Sequence, residues 1–442
     1  MAAKNAKKKP TKRARRGIRA PAPRTTASPD SGHHTFGRVR PSFSGKYPIH
    51  VEPERDVKFR PLPKPTGAEP FHLDLRSILS ASDYQAIANA KKLTFHLNGD
   101  MGGIKNGMDQ QLVAKGMEQD FDPKASASEN PAFLYITGDC VYYNGEIQQY
   151  YGQFYVPYEF FPRPIFAVPG NHDGESLPGE ETLDGFLRNF CAKSPVKMPE
   201  AQDSNRTAMT QPNVYWTLET PLANIVGLYS NVPGGGEIIE PQTEWLTNEL
   251  KSLSKDVPLL VALHHPIYSA DDHHSGSTKM KQVLETAADE AGRHPDMVLA
   301  GHVHNYQRLT KTMADGAQLP YLVTGAGGYF NLHHMMKVDD EHMIPPVNFS
   351  DHNGDPVTLE RYSADHHGFM RMEITDTLIT GRYYTVPRAH EPYSKGNQLL
   401  DYFEFDWKRK RYVPNTLPTP TPSAEPYSLV ASVRGRRVSS KR

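Results

Sequence analysis

The chain has 442 residues, in which 50 Lys and Arg balance 50 Asp and Glu and 37% of positions are hydrophobic. That is enough to bury a sizeable core, yet no apolar run approaches the ~18 residues that a membrane-spanning helix needs. Only two cysteines are present, Cys140 and Cys191, which excludes a disulfide framework and leads us to expect a reducing, cytoplasmic setting.

The neutral total hides a segregation of charge. Residues 1–40 carry twelve Lys and Arg against Asp30 alone, and residues 414–442 carry five against Glu425, so the stretch between them is strongly acidic. Both ends are rich in Pro, Ser, Thr and Ala and show no hydrophobic period. Residues 1–60 and 414–442 are therefore expected to be disordered basic arms around a folded unit at 61–413. The first arm has no apolar stretch of the secretory kind, although its Arg-rich, acid-poor composition also fits an organellar transit peptide. As polycations the arms are expected to make weak contacts with nucleic acid or other anionic surfaces. The acidic body argues against broad DNA binding by the folded part.

Past the Pro-spaced strap 61–70, a helix is predicted over Asp83–Lys92. Five short apolar runs follow, each closing on small or polar residues. Leu93–Leu97 runs into Asn98-Gly99-Asp100, Phe133–Thr137 into Gly138-Asp139, and Ile165–Val168 into Pro169-Gly170-Asn171-His172-Asp173. Leu259–Leu263 runs into His264-His265-Pro266, and Met297–Ala300 into Gly301-His302-Val303-His304. Runs of this length bounded by Gly or Pro read as buried strands. Helices are predicted between several of them, at Glu146–Phe160, Gln242–Leu253 and Thr278–Ala291, the last with Thr278 as its N-cap. The alternation predicts a layered α/β fold.

A lone Gly-Asp after a strand is an ordinary turn. Five successive strand ends that each deliver Asp, Asn or His are better explained by one shared site, since loops beyond the carboxyl ends of strands converge on one edge. Asp100, Asp139, Asn171, His264, His302 and His304 offer oxygen and imidazole donors and no thiolate, a mixture suited to Fe, Mn or Zn. Six donors exceed one tetrahedral ion and fit two ions sharing a carboxylate.

These motifs, in this order, resemble the calcineurin-like metallophosphoesterases, and more narrowly the purple acid phosphatase branch. The resemblance covers 100–304, with family-like stretches at 242–246 and 321–329, and implies a β-sandwich flanked by helices. The branch assignment rests on Gly102, which stands where most of the superfamily has the His of Asp-x-His, and on Tyr142, three residues after Asp139. The resemblance implies that Asp100, Tyr142 and His304 hold one metal, as Fe(III), and that Asn171, His264 and His302 hold a second, Fe, Mn or Zn, with Asp139 bridging. His265 is the rival of His264; the family's Val-x-x-His spacing from Val261 favours the latter. Cys140 is read as a buried structural thiol.

The implied activity is hydrolysis of phosphate monoesters by metal-activated hydroxide, with a histidine protonating the leaving group. His172, followed by Asp173 as its expected imidazole partner, is one candidate acid. The pair His273-His274 matches a substrate-facing pair of the plant enzymes, with His274 as acid and His273 as phosphate contact, although the polar run 271–276 also reads as a plain surface loop. Tyr306 is a candidate neighbour of the substrate, and Gln307 stands where the plant enzymes have Glu. Residues 1–60 are too basic and apolar-poor to form the extra N-terminal β-domain of the plant members. Two rival readings remain: a phosphodiesterase or nuclease gripping nucleic acid with the basic arm, and a metal-binding interaction protein without catalysis.

Overall fold

A computed structural model describes residues 62–104, 107–174, 183–338, 341–350 and 354–414. The expected basic arms, apart from Pro414, lie outside the described residues. The five short apolar runs are strands, at Lys92–Asn98, Leu134–Ile136, Ile165–Ala167, Leu259–Ala262 and Met297–Ala300. They divide between two sheets. In a seven-stranded sheet, Lys92–Asn98, Leu134–Ile136 and Ile165–Ala167 are parallel neighbours. In a nine-stranded sheet, Asn224–Gly227, Leu259–Ala262, Met297–Ala300 and Gln318–Thr324 form the parallel run. Nearly all residues of these strands are buried, as expected where a parallel strand is covered on both faces.

Each sheet is completed by antiparallel strands. Tyr306–Thr312, Val347–Ser350 and Pro356–Ser363 extend the larger sheet; Gly368–Thr375, Leu378–Thr385 and Gln398–Asp406 extend the smaller. One continuous core takes side chains from both sheets. Contacts between the sheets include Tyr306 stacked on Tyr383 at 3.8 Å between ring centroids, and Trp216 on Tyr135 at 6.1 Å. The architecture is thus the layered sandwich with flanking helices that the sequence led us to expect. Among the described residues no helix is long and apolar enough to cross a membrane.

Three predicted helices require correction. The first runs Ala81–Ala90 instead of 83–92, because the Ser80 hydroxyl caps the Asp83 amide and Lys91 turns left-handed, at φ 50°, into the next strand. The helix Thr278–Ala291 is capped by Ser277, whose hydroxyl accepts from the Met280 amide, and not by Thr278. The segment 146–160 is not one helix. It holds a 3₁₀ turn at Ile147–Gln149 and a π turn at Tyr151–Tyr155. The wider turn lets Gln153 reach inward alongside Phe154 and Tyr155, all three buried. The remaining helix, Gln242–Ser252, matches its predicted span to within a residue.

Candidate metal centre

The carboxyl ends of the two parallel runs face a common edge, with three loops from the smaller sheet and two from the larger. Backbone hydrogen bonds tie these loops together: Asp100 N–H donates to Gly138 O at 2.9 Å, and Gly301 N–H to His264 O at 3.0 Å. Asp100, Asp139 and His302 adopt left-handed backbone at φ 55°, 55° and 68°. Such conformations cost about 1–3 kcal/mol each in non-glycine residues and cluster where a side chain must be aimed.

The structure brings all seven ligand candidates together, buried. On one side, the Tyr142 hydroxyl lies 3.3 Å from Asp100 Oδ1, 3.3 Å from His304 Nε2 and 3.1 Å from Asp139 Oδ2. On the other, Asn171 Oδ1 lies 3.1 Å from His264 Nε2 and 3.0 Å from His302 Nδ1. Asp139 Oδ2 is also 3.2 Å from His264 Nε2, so this one oxygen stands between the two groups. The far nitrogens of two imidazoles are fixed by backbone carbonyls, His264 Nδ1 by Thr137 O at 2.8 Å and His304 Nδ1 by Asn331 O at 2.9 Å. Both rings therefore direct Nε2 inward. His265 is held by Ser230, its Nδ1 2.9 Å from the hydroxyl, with its ring 4.4 Å from that of His302.

Gly102 and Tyr142 are coupled by space. A Cβ at 102 would lie 2.5 Å from Tyr142 Cδ2 and 2.7 Å from Gln153 Oε1, so any side chain there collides with the phenol. Gln153, held by the π turn, accepts from the Tyr142 amide at 2.9 Å and donates to the Tyr142 carbonyl at 2.5 Å. The phenol ring stacks on Tyr329 at 4.1 Å between centroids and lies against the tilted ring of His172 at 4.4 Å. A second tight approach is Gly170, where a Cβ would fall 2.1 Å from Asp139 Oδ1.

The donor chemistry fits two cations. Burial pushes the Asp100 carboxyl above its ordinary range, against the pull of His304 and His264. For His264, burial opposes the charged ring but the Asp139 carboxylate beside it prevails and raises it to about 9. The cluster thus draws positive charge to itself, and its hard oxygen and imidazole donors suit the transition metals named above.

Two expectations are corrected. Asp173 does not hold His172: its carboxylate accepts from the amides of Gly170, Cys140 and Val141 at 2.9–3.1 Å, pinning the Asn171 loop to the Asp139 loop. His172 Nδ1 instead meets Tyr143 O at 2.8 Å. Tyr306 does not line the site. It is buried in the core with its hydroxyl 2.7 Å from Asp401. In the pair His273-His274, only His274 is fully buried, with its ring 4.5 Å from that of His302, whereas the His273 side chain is about a third exposed and bonded to Asp272. His333 went unseen in the sequence. It is buried with its ring 4.3 Å from His304 and 4.9 Å from His274, and it lies in a loop without strand or helix period to flag it.

The calcineurin-like phosphoesterase family model matches residues 99–306. Over 172 residues the chain is 31% identical to purple acid phosphatase 21 of Arabidopsis thaliana, covering 38% of this chain and 36% of that protein. Probable purple acid phosphatase 20 of the same plant is 29% identical over 162 residues, 35% of this chain and 34% of the relative. The chain therefore spans about a third of the length of these curated relatives. Among solved structures, purple acid phosphatase PPD1 from yellow lupin (Lupinus luteus) seeds shares the fold, with a TM-score of 0.50 and 17% identity over 71% of this chain and 54% of that one.

Proposed function

From a calcineurin-like phosphoesterase pattern over 99–306 and a resemblance to the purple acid phosphatases, we propose that this protein is a dinuclear metal-dependent phosphatase that hydrolyses phosphate monoesters. The observation that carries the reading is the single oxygen Asp139 Oδ2 between the Tyr142 hydroxyl and His264 Nε2. Asp100, Tyr142 and His304 would hold one ion, Asn171, His264 and His302 the other, with Asp139 common to both. Bound there, such a pair neutralises phosphoryl oxygens and supplies a nucleophile at mild pH. The phenolate and two carboxylates on the first side favour Fe(III); the amide and two imidazoles on the second suit Fe, Mn or Zn.

The remaining residues orient and protonate. Thr137 O and Asn331 O fix the His264 and His304 tautomers, and the His172 amide donates to Asp139 Oδ1 at 2.9 Å, which leaves Oδ2 to the two donor groups. His274, buried beside His302, is the proposed donor of the proton that the leaving oxygen requires. The test is hydrolysis of an aryl monoester against the matched diester, with metals determined on the same sample. Preference for the monoester with metal bound supports the reading. A strong diester preference that disappears on deleting residues 1–40 replaces it with a nucleic-acid phosphodiesterase.

A further inference from the structure

Five imidazoles run in an unbroken arc. From His264 the ring centroids step 5.0 Å to His302, 4.5 Å to His274, 4.9 Å to His333 and 4.3 Å to His304. The arc begins and ends on ligand candidates of opposite donor groups, and its third and fourth members, His274 and His333, are not among the ligand candidates. What holds these two in place is Asp271, whose side chain is wholly buried. Its Oδ2 accepts from the amides of His273 at 3.0 Å and His274 at 2.9 Å and lies 3.3 Å from His333 Nδ1. Its Oδ1 accepts from Asn305 Nδ2 at 3.0 Å. Asn305 and Gln307 lie one and three residues after His304 in the chain. Gln307 donates to Asn305 Oδ1 at 3.0 Å and accepts from the Ala270 amide at 2.8 Å. The residues after the last ligand thus grip both the carboxylate and the backbone of the histidine loop.

We propose that Asp271 is a positioning residue: through Asn305 and Gln307 it locks His274 and His333 to the ligand-bearing loop, so that these two imidazoles, and not His273, face the leaving oxygen of the ester. The inference rests on the phosphatase reading. Three hydrogen-bond donors converge on an acceptor-only side chain, so an amide at 271 must turn its NH₂ against a donor. The conflict is smallest toward Asn305, and there it can be undone. In the double variant Asp271→Asn with Asn305→Asp, the carboxylate introduced at position 305 accepts from Gln307 and from the side-chain NH₂ introduced at position 271. The side-chain carbonyl at position 271 then keeps the two loop amides.

The experiment compares wild type, Asp271→Ala, Asp271→Asn and the double variant on an alkyl and an aryl phosphate, with metal content measured on each. The expected result is a loss of about 10²-fold in kcat on the alkyl ester for Asp271→Ala, under about 5-fold on the aryl ester whose leaving group needs no proton, and full metal content. The double variant recovers alkyl turnover relative to Asp271→Asn. Equal losses on both esters, wild-type rates in Asp271→Ala, or no recovery in the double variant overturn the proposal. A readout independent of turnover is the imidazole ¹⁵N spectrum. Asp271→Ala should shift the His333 and His274 ring signals, and an unchanged spectrum overturns the positioning role whether or not the wild type hydrolyses these esters. Absence of any hydrolysis by wild type overturns the phosphatase reading instead.

Discussion

Two buried polar clusters draw on adjoining residues of one segment, His302 and His304 for one and Tyr306 and Arg308 for the other, and obey opposite electrostatics. In the first, Asp401 on the smaller sheet receives the Tyr306 hydroxyl at 2.7 Å and a bidentate Arg308 at 2.7 and 3.0 Å from the larger sheet. Burial works against the Asp401 charge, but Arg308 beside it wins and holds the carboxyl below its ordinary range. In the second, Asp100 is equally buried, its charged neighbours are imidazoles and another carboxylate, and burial prevails to push it up. The first cluster supplies its own countercharge and acts as a clamp between the sheets. The second gathers negative charge with, among the described residues, no guanidinium or ammonium to match it, which is what a cation site requires.

That contrast can be broken at its strongest point by Asp139→Asn. The substitution should cost at least about 10³-fold in kcat/KM, equivalent to about 4 kcal/mol, while thermal unfolding of the metal-free protein stays within a few degrees of wild type. Added metal should stabilise wild type by about 2.7 kcal/mol at a hundred times its Kd and leave the variant unmoved, a difference read from melting curves. At the clamp the pattern inverts. Asp401→Ala strands a buried Arg308 and should lose about 3–5 kcal/mol in urea unfolding, with kcat of the folded fraction near wild type. Activity lost in proportion to stability in both variants would erase the distinction.

A finer cut lies within the ligand group. Tyr142→Phe is expected to remove visible absorption and weaken retention of the first metal by at least about 10-fold, with the fold intact. Unchanged colour takes Tyr142 out of the site. The smallest effect concerns pH. His72 on the edge strand His72–Asp74 is raised above its ordinary value, chiefly by its 2.8 Å hydrogen bond to Glu249, with burial opposing. Its stabilising contribution is complete below the unfolded histidine pKa of about 6.5 and fades as pH climbs through the higher folded value. Wild type should therefore unfold at lower urea at pH 8 than at pH 6, by a margin that shrinks in His72→Gln.

How much of this was legible in the sequence follows from where each signal is stored. The five strand ends could be read because an apolar run, a Gly or Pro and a ligand-type residue fall within a few consecutive positions. The exchange of His for Gly102 and the gain of Tyr142 could be noticed, but only coordinates reveal that one phenol ring forbids a side chain at 102. The antiparallel half was missed. Pro356–Ser363 and Gln398–Asp406 alternate buried with half-exposed residues, and their inward positions include Arg361 and Asp401, which blur the apolar period. The role of Asp173 is not legible because adjacency in sequence to His172 says nothing about which backbone amides curl around it. Asp271 and His333 are 62 residues apart and meet only through tertiary packing.

On the proposed reading, Asp139 stands between two donor groups that would each hold a cation. Elemental analysis of catalytically active protein as isolated, with its visible spectrum, addresses that claim most directly. Two transition-metal ions per chain, at least one of them iron with a visible absorption band, is the predicted result. Active protein carrying a single ion per chain, or none, would contradict it.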